Sequence, residues 1–172
     1  MALESGSRYW SRVRLGPDAH MDSPSTPPVF TMVELSAYLA AEFPQIGIGR
    51  NFIIENVGPM SARMRLHYNV DQLRPGGTIS GPTIFALADV ALYVAILAQL
   101  GRAKLAVTTN LNINFLRKPG PSDLIGEARL LKLGKRLAVG EVTMFSIDAP
   151  DIVAHATGTY SIPPQGGEDV VL

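Results

Sequence analysis

The chain has 172 residues, with fifteen Lys plus Arg against fifteen Asp plus Glu and a formal net charge of zero. Only 17% of it is charged and 47% is hydrophobic, against about 25% charged in ordinary soluble domains. This balance excludes a basic nucleic-acid footprint and an acidic disordered composition, and the absence of Cys excludes disulfides, thiolate metal sites and a cysteine nucleophile.

Length fits one domain that buries about two-thirds of its surface on folding. Residues 1–30 show no sustained period and end in a Ser/Pro-rich run. No apolar run of 7–15 residues follows a basic start, so a secretory signal is not expected. This stretch reads as a poorly ordered tail, and 164–172 as a second one. A single domain is expected over 31–163, in a cytoplasmic protein.

The first element is a short helix. Thr31-Met32-Val33-Glu34 fits a capping box, Met32, Leu35, Leu39 and Phe43 form an apolar stripe at helical spacing, and Pro44 stops it. Strands are expected at 51–57 and 62–70, joined by Gly58-Pro59. In the second, Met64, Leu66 and Tyr68 alternate with Arg63, Arg65 and His67, the pattern of a sheet with one wet face. A Gly/Pro-dense loop, 73–82, leads into an apolar helix that ends near Leu100 before Gly101. Pro82 suits its first position, with Gly81 as N-cap.

Residues 84–100 are at the short limit for crossing a bilayer. They carry Asp89 and Gln99, and an Asp at a helix centre costs about 2.5–3.5 kcal/mol on insertion scales. A helix buried in protein is expected, and no membrane span.

Four strands follow. Residues 105–116 alternate strictly, Val107, Thr109, Leu111, Ile113 and Phe115 against Thr108, Asn110, Asn112 and Asn114. Runs 124–133, 137–147 and 152–162 are separated by short turns, which predicts an antiparallel meander. A helix apolar on nearly every side must be wrapped. The expected architecture is therefore α+β, a curved antiparallel sheet around one long central helix.

Asp89 is the only charged residue between Arg74 and Arg102. In apolar surroundings a carboxylate needs hydrogen-bond partners. Two readings stay open: an Asp satisfied by neighbouring donors, or a general base or nucleophile. The helix start offers Gly81 N–H at the positive end of the dipole, where a carbonyl oxygen gaining charge is stabilised. Thr83 and the Ser80 hydroxyl are further donors, and Pro82 offers none; ordinary helix capping would use the same residues. Gly81 and Asp89 lie eight positions apart, about 12 Å along a helix axis. One carbonyl and one water are hard to place against both. Two antiparallel copies of the helix across a two-fold axis would bring Gly81 of one near Asp89 of the other, so a homodimer with shared sites is expected.

The run Ser80-Gly-Pro-Thr-Ile-Phe-Ala-Leu-Ala-Asp89, the strand that ends Asn-Phe-Leu-Arg-Lys-Pro119, and the segment 126–142 together resemble the hot-dog thioesterases of the phenylacetate-degradation (PaaI) type. The resemblance covers about residues 50–162. It implies a helix wrapped by a sheet, two subunits sharing a continuous sheet as a homodimer or a dimer of dimers, and hydrolysis of acyl-CoA thioesters, with coenzyme A as part of the substrate and no separate cofactor. It places the catalytic acid on Asp89 and the carbonyl-polarising Gly on Gly81. The family's His-Gly-Gly reads Ser80-Gly81-Pro82 here, and Arg74 stands nearest the spacing of the family's Asn, with Asn69 further back.

With such a substrate, Ser80, Thr83, Tyr93, Asn112 and Asn114 become candidates for the acyl and pantetheine groove. Arg117, Lys135 and Arg136, with Lys118 and Lys132, become candidates for the coenzyme A phosphates. Tyr93 equally fits core packing, the Asn residues a dimer seam, and the cations solvated turns. No Gly-x-Ser-x-Gly elbow exists, and His20, His67 and His155 are isolated. A hydroxyacyl dehydratase of the same fold needs a His in the loop before the helix, where Leu73-Arg74-Pro75 has none. A non-catalytic acyl-CoA binder is the other alternative.

Overall fold

The computed structural model describes residues 27–103 and 105–164. Most of the two expected tails lies outside the described residues. The chain runs α1 (Met32–Glu42), β1 (Phe52–Gly58), β2 (Ser61–Leu66), a small hairpin of β3 (Leu73–Arg74) and β4 (Thr78–Ile79), then α2 (Gly81–Leu100), and finally β5 (Val107–Phe115), β6 (Leu124–Leu133), β7 (Leu137–Ser146) and β8 (Ile152–Ser161).

The capping box of α1 forms as its sequence predicts. Thr31 Oγ1 accepts from Glu34 N at 3.3 Å, and Glu34 Oε2 accepts from Thr31 N at 2.9 Å. Only Leu35 and Leu39 of the apolar stripe are buried, and Met32 and Phe43 are exposed. β2 stops at Leu66, four residues short of expectation. Asn69 there caps a 3₁₀ turn, its side chain accepting from Asp71 N and its amide donating to Gln72 Oε1.

Six strands form one antiparallel sheet in the order β1-β2-β6-β7-β8-β5. β6, β7 and β8 are the expected meander, but β5 is not part of it. It pairs with β8 at the far edge, and the chain crosses back through 117–123 to start β6 beside β2. Those seven residues reach about 23 Å when extended, enough for the three interstrand steps of about 14 Å in all.

The sheet curves around α2. Eleven of the twenty residues of α2 are buried, in a core that includes Leu87, Leu92, Ile96, Met64, Leu124 and Met144. By length and composition α2 could cross a membrane, yet most of its apolar side chains are buried in the core of its own chain. Close approach is built into the strands. Gly140 and Gly158 pair across β7 and β8, and a Cβ on either would stand 2.6 Å from a methyl of Leu92. Leu92 is therefore a knob seated in a two-glycine hole.

The opposite face is wet and charged. Arg63 and Arg65 pair with Glu55, Arg65 and His67 with Asp123, and Arg129 and His155 with Glu141. Arg129 chiefly, with His155, holds the Glu141 carboxyl below its usual range against the opposing pull of burial.

Candidate active site

The approach to α2 is a tight hairpin where a loop was expected. Arg74 and Thr78 are cross-strand partners, joined by a turn with Pro75 and Gly76 at its centre and Gly77 N donating to Arg74 O at 3.1 Å. Gly76 has φ 97°, the left-handed position that a type II turn reserves for glycine. The hairpin is tied back by Ser80 N donating to Gln72 O at 2.9 Å.

Helix α2 then starts one residue earlier than expected. Ser80 is the N-cap, in extended conformation, and its carbonyl accepts from Ile84 N at 3.2 Å. Gly81 is consequently the first helical residue and Pro82 the second. The amides of a first turn have no intrahelical partner, so Gly81 N–H, with no acceptor among the described residues, is a donor at the positive end of a twenty-residue dipole. The Ser80 and Thr83 hydroxyls share a hydrogen bond of 2.8 Å instead of capping the helix.

Gly81 forms one wall of a cleft of about 240 Å³ that also takes in Arg74, Thr78, Phe115, Arg117 and Lys118. A Cβ at Gly81 would lie 3.5 Å from the Phe115 ring. Thr78 Oγ1 is buried here with no hydrogen-bond partner among the described residues. Arg117 reaches Asp151 at 3.2 Å, but both side chains are more than half exposed, and such a pair is weak.

Two turns along α2, Asp89 is held by hydroxyl donors from two strands. Thr108 Oγ1 of β5 donates to Asp89 Oδ1 at 2.7 Å. Tyr160 of β8 shares its hydroxyl proton between Asp89 Oδ1 at 2.5 Å and the Asp89 carbonyl at 2.8 Å. Burial foremost, and then the Asp89 charge, push the Tyr160 hydroxyl far above the usual phenol range, so it remains a donor. Both bonds land on Oδ1. The carboxylate is thereby oriented through one oxygen.

A β-bulge makes this arrangement. Thr108 pairs with Tyr160 and Asn110 with Thr159, leaving Thr109 as an extra residue. Beyond the bulge, Leu111, Ile113 and Phe115 stand opposite Gly158, Ala156 and Ala154 on the inner face. Strict alternation would place Thr108 outside with the asparagines. The inserted residue rotates it inward onto Asp89, the re-aiming that bulges provide near functional sites. The alternation expected for 105–116 is therefore broken at Thr109.

The other candidates fall in three places. Tyr93 is buried, stacked on Tyr160 with centroids 6.4 Å apart and edge-on to Phe43. Burial, with a smaller effect of Tyr38, raises its hydroxyl to about 12. Asn112 and Asn114 pair with Thr157 and His155 on the outer face of β5. Lys135 and Arg136 line a separate cavity with Leu100, at the opposite end of α2 from Gly81. The sequence alone does not mark Thr108, Tyr160 or Thr78 as site residues. For Tyr160 a signal exists, since it is the lone large side chain after Ala154, Ala156 and Gly158 on the inner face of β8.

Comparison with known proteins follows the same lines. Residues 76–152 match the model of the Thioesterase superfamily. A proposed esterase of Saccharolobus solfataricus is 30% identical over 137 residues, 78% of this chain and 87% of that protein. The crystal structure of a proposed thioesterase from Silicibacter sp. is 51% identical, covering 82% of this chain and 97% of the other, with a TM-score of 0.73. The phenylacetic acid degradation protein PaaI of Thermus thermophilus, as a mutant, shares the fold at 23% identity and a TM-score of 0.59, over 74% of this chain and 99% of its own. By fold, by family match and by these relatives, the chain belongs to the thioesterase superfamily, in its hot-dog architecture.

Proposed function

We propose that the protein hydrolyses acyl-CoA thioesters in two equivalent sites, each formed by Gly81 of one subunit and Asp89 of the other. The observation that carries this reading is Asp89 itself. It is the one charged side chain on an otherwise apolar helix, and two hydroxyl donors orient it through a single oxygen.

Within one chain Gly81 and Asp89 are about 12 Å apart along α2, and Asp89 does not line the cleft at Gly81. A second subunit supplies what is missing. β5 is an edge strand nine residues long, with Val107 and Phe115 more than half exposed and Leu105 and Leu116 flanking it equally bare. Long bare edges invite pairing with another strand. Pairing β5 with its copy across a two-fold axis would extend the sheet through both subunits and lay the two α2 helices antiparallel.

The chemistry then needs four movements. Gly81 N–H and the helix dipole polarise the thioester carbonyl. Asp89 of the partner subunit takes a proton from water, and the hydroxide attacks the carbonyl carbon. The oxyanion of the tetrahedral intermediate sits against Gly81 N–H. It collapses with cleavage of the C–S bond, and the leaving thiolate receives the proton from Asp89. Direct attack by the carboxylate through an anhydride, with later hydrolysis, uses the same residues.

Among the described residues a dehydratase finds no support, since His67 and His155 both lie on the outer face with Asp123 and Glu141. Pro82, which removes one amide from the helix start, favours the second reading, an acyl-CoA binder without turnover. A panel of acyl-CoA substrates with a thiol-detecting reagent separates them. Wild type should release thiol and Asp89→Asn should lower kcat by about 10² or more. An unchanged rate in the variant removes Asp89 from the mechanism, and binding without thiol release makes the protein a binder.

A further inference from the structure

The cleft at Gly81 has more charge than a thioester carbonyl can use. Among the described residues, Arg74, Arg117 and Lys118 line it, no carboxylate does, and Thr78 Oγ1 is buried beside them without a partner. A buried hydroxyl left unsatisfied calls for an explanation. Direct cross-strand partners share a face of a hairpin, so Arg74 and Thr78 are presented together by β3 and β4. One glycine turn fixes both. Arg117 has Asp151 at 3.2 Å on its exposed side; with Asp89 of the partner subunit added, Arg74 and Lys118 would still face one carboxylate.

We infer that this cleft recognises a carboxylate carried by the acyl group, which makes the preferred substrate a CoA thioester of a short dicarboxylic acid. The inference rests on the proposed placement of the thioester carbonyl at Gly81 N–H. The position of the cleft decides between the two anions that such a substrate offers. Gly81 is part of the wall, so a group lodged here is a few bonds from the reacting carbonyl. The phosphates of coenzyme A are separated from that carbonyl by the whole pantetheine arm. At about 240 Å³ the cleft suits a few carbon atoms and one carboxylate. Arg74 supplies a planar fork that matches a carboxylate with two hydrogen bonds, Lys118 a point charge, and Thr78 a hydroxyl that gains its missing acceptor. Phe115 packs against the methylenes between the two carbonyl carbons.

The test pairs chains of equal carbon number: malonyl- with propionyl-CoA, succinyl- with butyryl-CoA, and glutaryl- with valeryl-CoA, each corrected for spontaneous hydrolysis. The readout is the ratio of kcat/KM within each pair, which cancels any general loss from a poorly folded variant. Wild type should favour at least one carboxylated member by about tenfold or more, and Arg74→Gln should bring that ratio close to one. Neutral chains turned over as fast as, or faster than, their carboxylated partners would overturn the inference. So would an Arg74→Gln variant that weakens both members of a pair equally and raises the inhibition constant of free coenzyme A, because the cleft would then hold phosphate. If no thiol is released from any of the six, the proposed hydrolysis fails, and calorimetric titration with glutaryl- and valeryl-CoA decides the cleft separately. Tighter binding of glutaryl-CoA, abolished by Arg74→Gln, supports it, and equal dissociation constants refute it.

Discussion

Tyr160 holds Asp89 from two sides of one residue, its carboxylate and its own backbone carbonyl. It reaches α2 because Ala156 and Gly158 precede it on the inner face and leave the helix room to approach. Tyr160→Phe keeps the ring stacked on Tyr93 and removes only the donor. The expected result is a fall in kcat of about tenfold with KM little changed, and a loss of stability of about 1 kcal/mol. A change confined to stability would make the hydrogen bond structural and nothing more. Asp89 and Gly81 were legible in the sequence because each interrupts a pattern, a lone charge in an apolar run and a Gly-Pro at its start. Thr108 was not legible. Its role depends on a bulge at Thr109, and nothing in the run Val-Thr-Thr-Asn-Leu-Asn marks where an extra residue enters the ladder.

Elements were easier to find than their partners. Apart from the two-residue strands β3 and β4, which read as loop, every helix and strand from α1 to β8 shows in hydrophobic period and turn residues, including the capping box that opens α1. The neighbour of β5 does not show, because the Gly/Pro turn at 117–123 looks the same whether it closes a hairpin or crosses the end of a sheet. What does decide the packing of α2 is two glycines that a strand would otherwise avoid. At Gly140 a Cβ would meet Leu92 Cδ2 at 2.6 Å and the Arg129 carbonyl at 2.9 Å, whereas at Gly158 the close atoms are the side-chain tips of Leu92 and Leu111. Side chains yield and backbone in a paired strand does not. Gly140→Ala should therefore cost about 1–3 kcal/mol and more than Gly158→Ala, read as a shift in urea midpoint at unchanged slope. Equal, negligible costs would mean that the sheet and helix are not in this close contact.

At the scale of the whole molecule, the shortage of charge has a location. It is concentrated in α2, which the sheet encloses, while the outer face carries ladders of Arg, His and carboxylate. Among the described residues the β5 edge is left bare, with Val107, Phe115 and Leu116 more than half exposed, and it lies beside Gly81 and Asp89, the two halves of the proposed site. The central claim is that two chains close it. Mixing two separately inactive variants tests this directly. Asp89→Asn lacks the base. Gly81→Pro lacks the N–H and follows a Ser80 already extended at ψ 151°. In a mixed dimer one site combines both defects and the other has none. Random reassociation of equal amounts should restore about a quarter of wild-type thioesterase activity, since half the dimers are mixed and each has one intact site. Activity that stays at the level of the two variants alone, with mixed dimers demonstrably formed, would contradict a site shared between subunits.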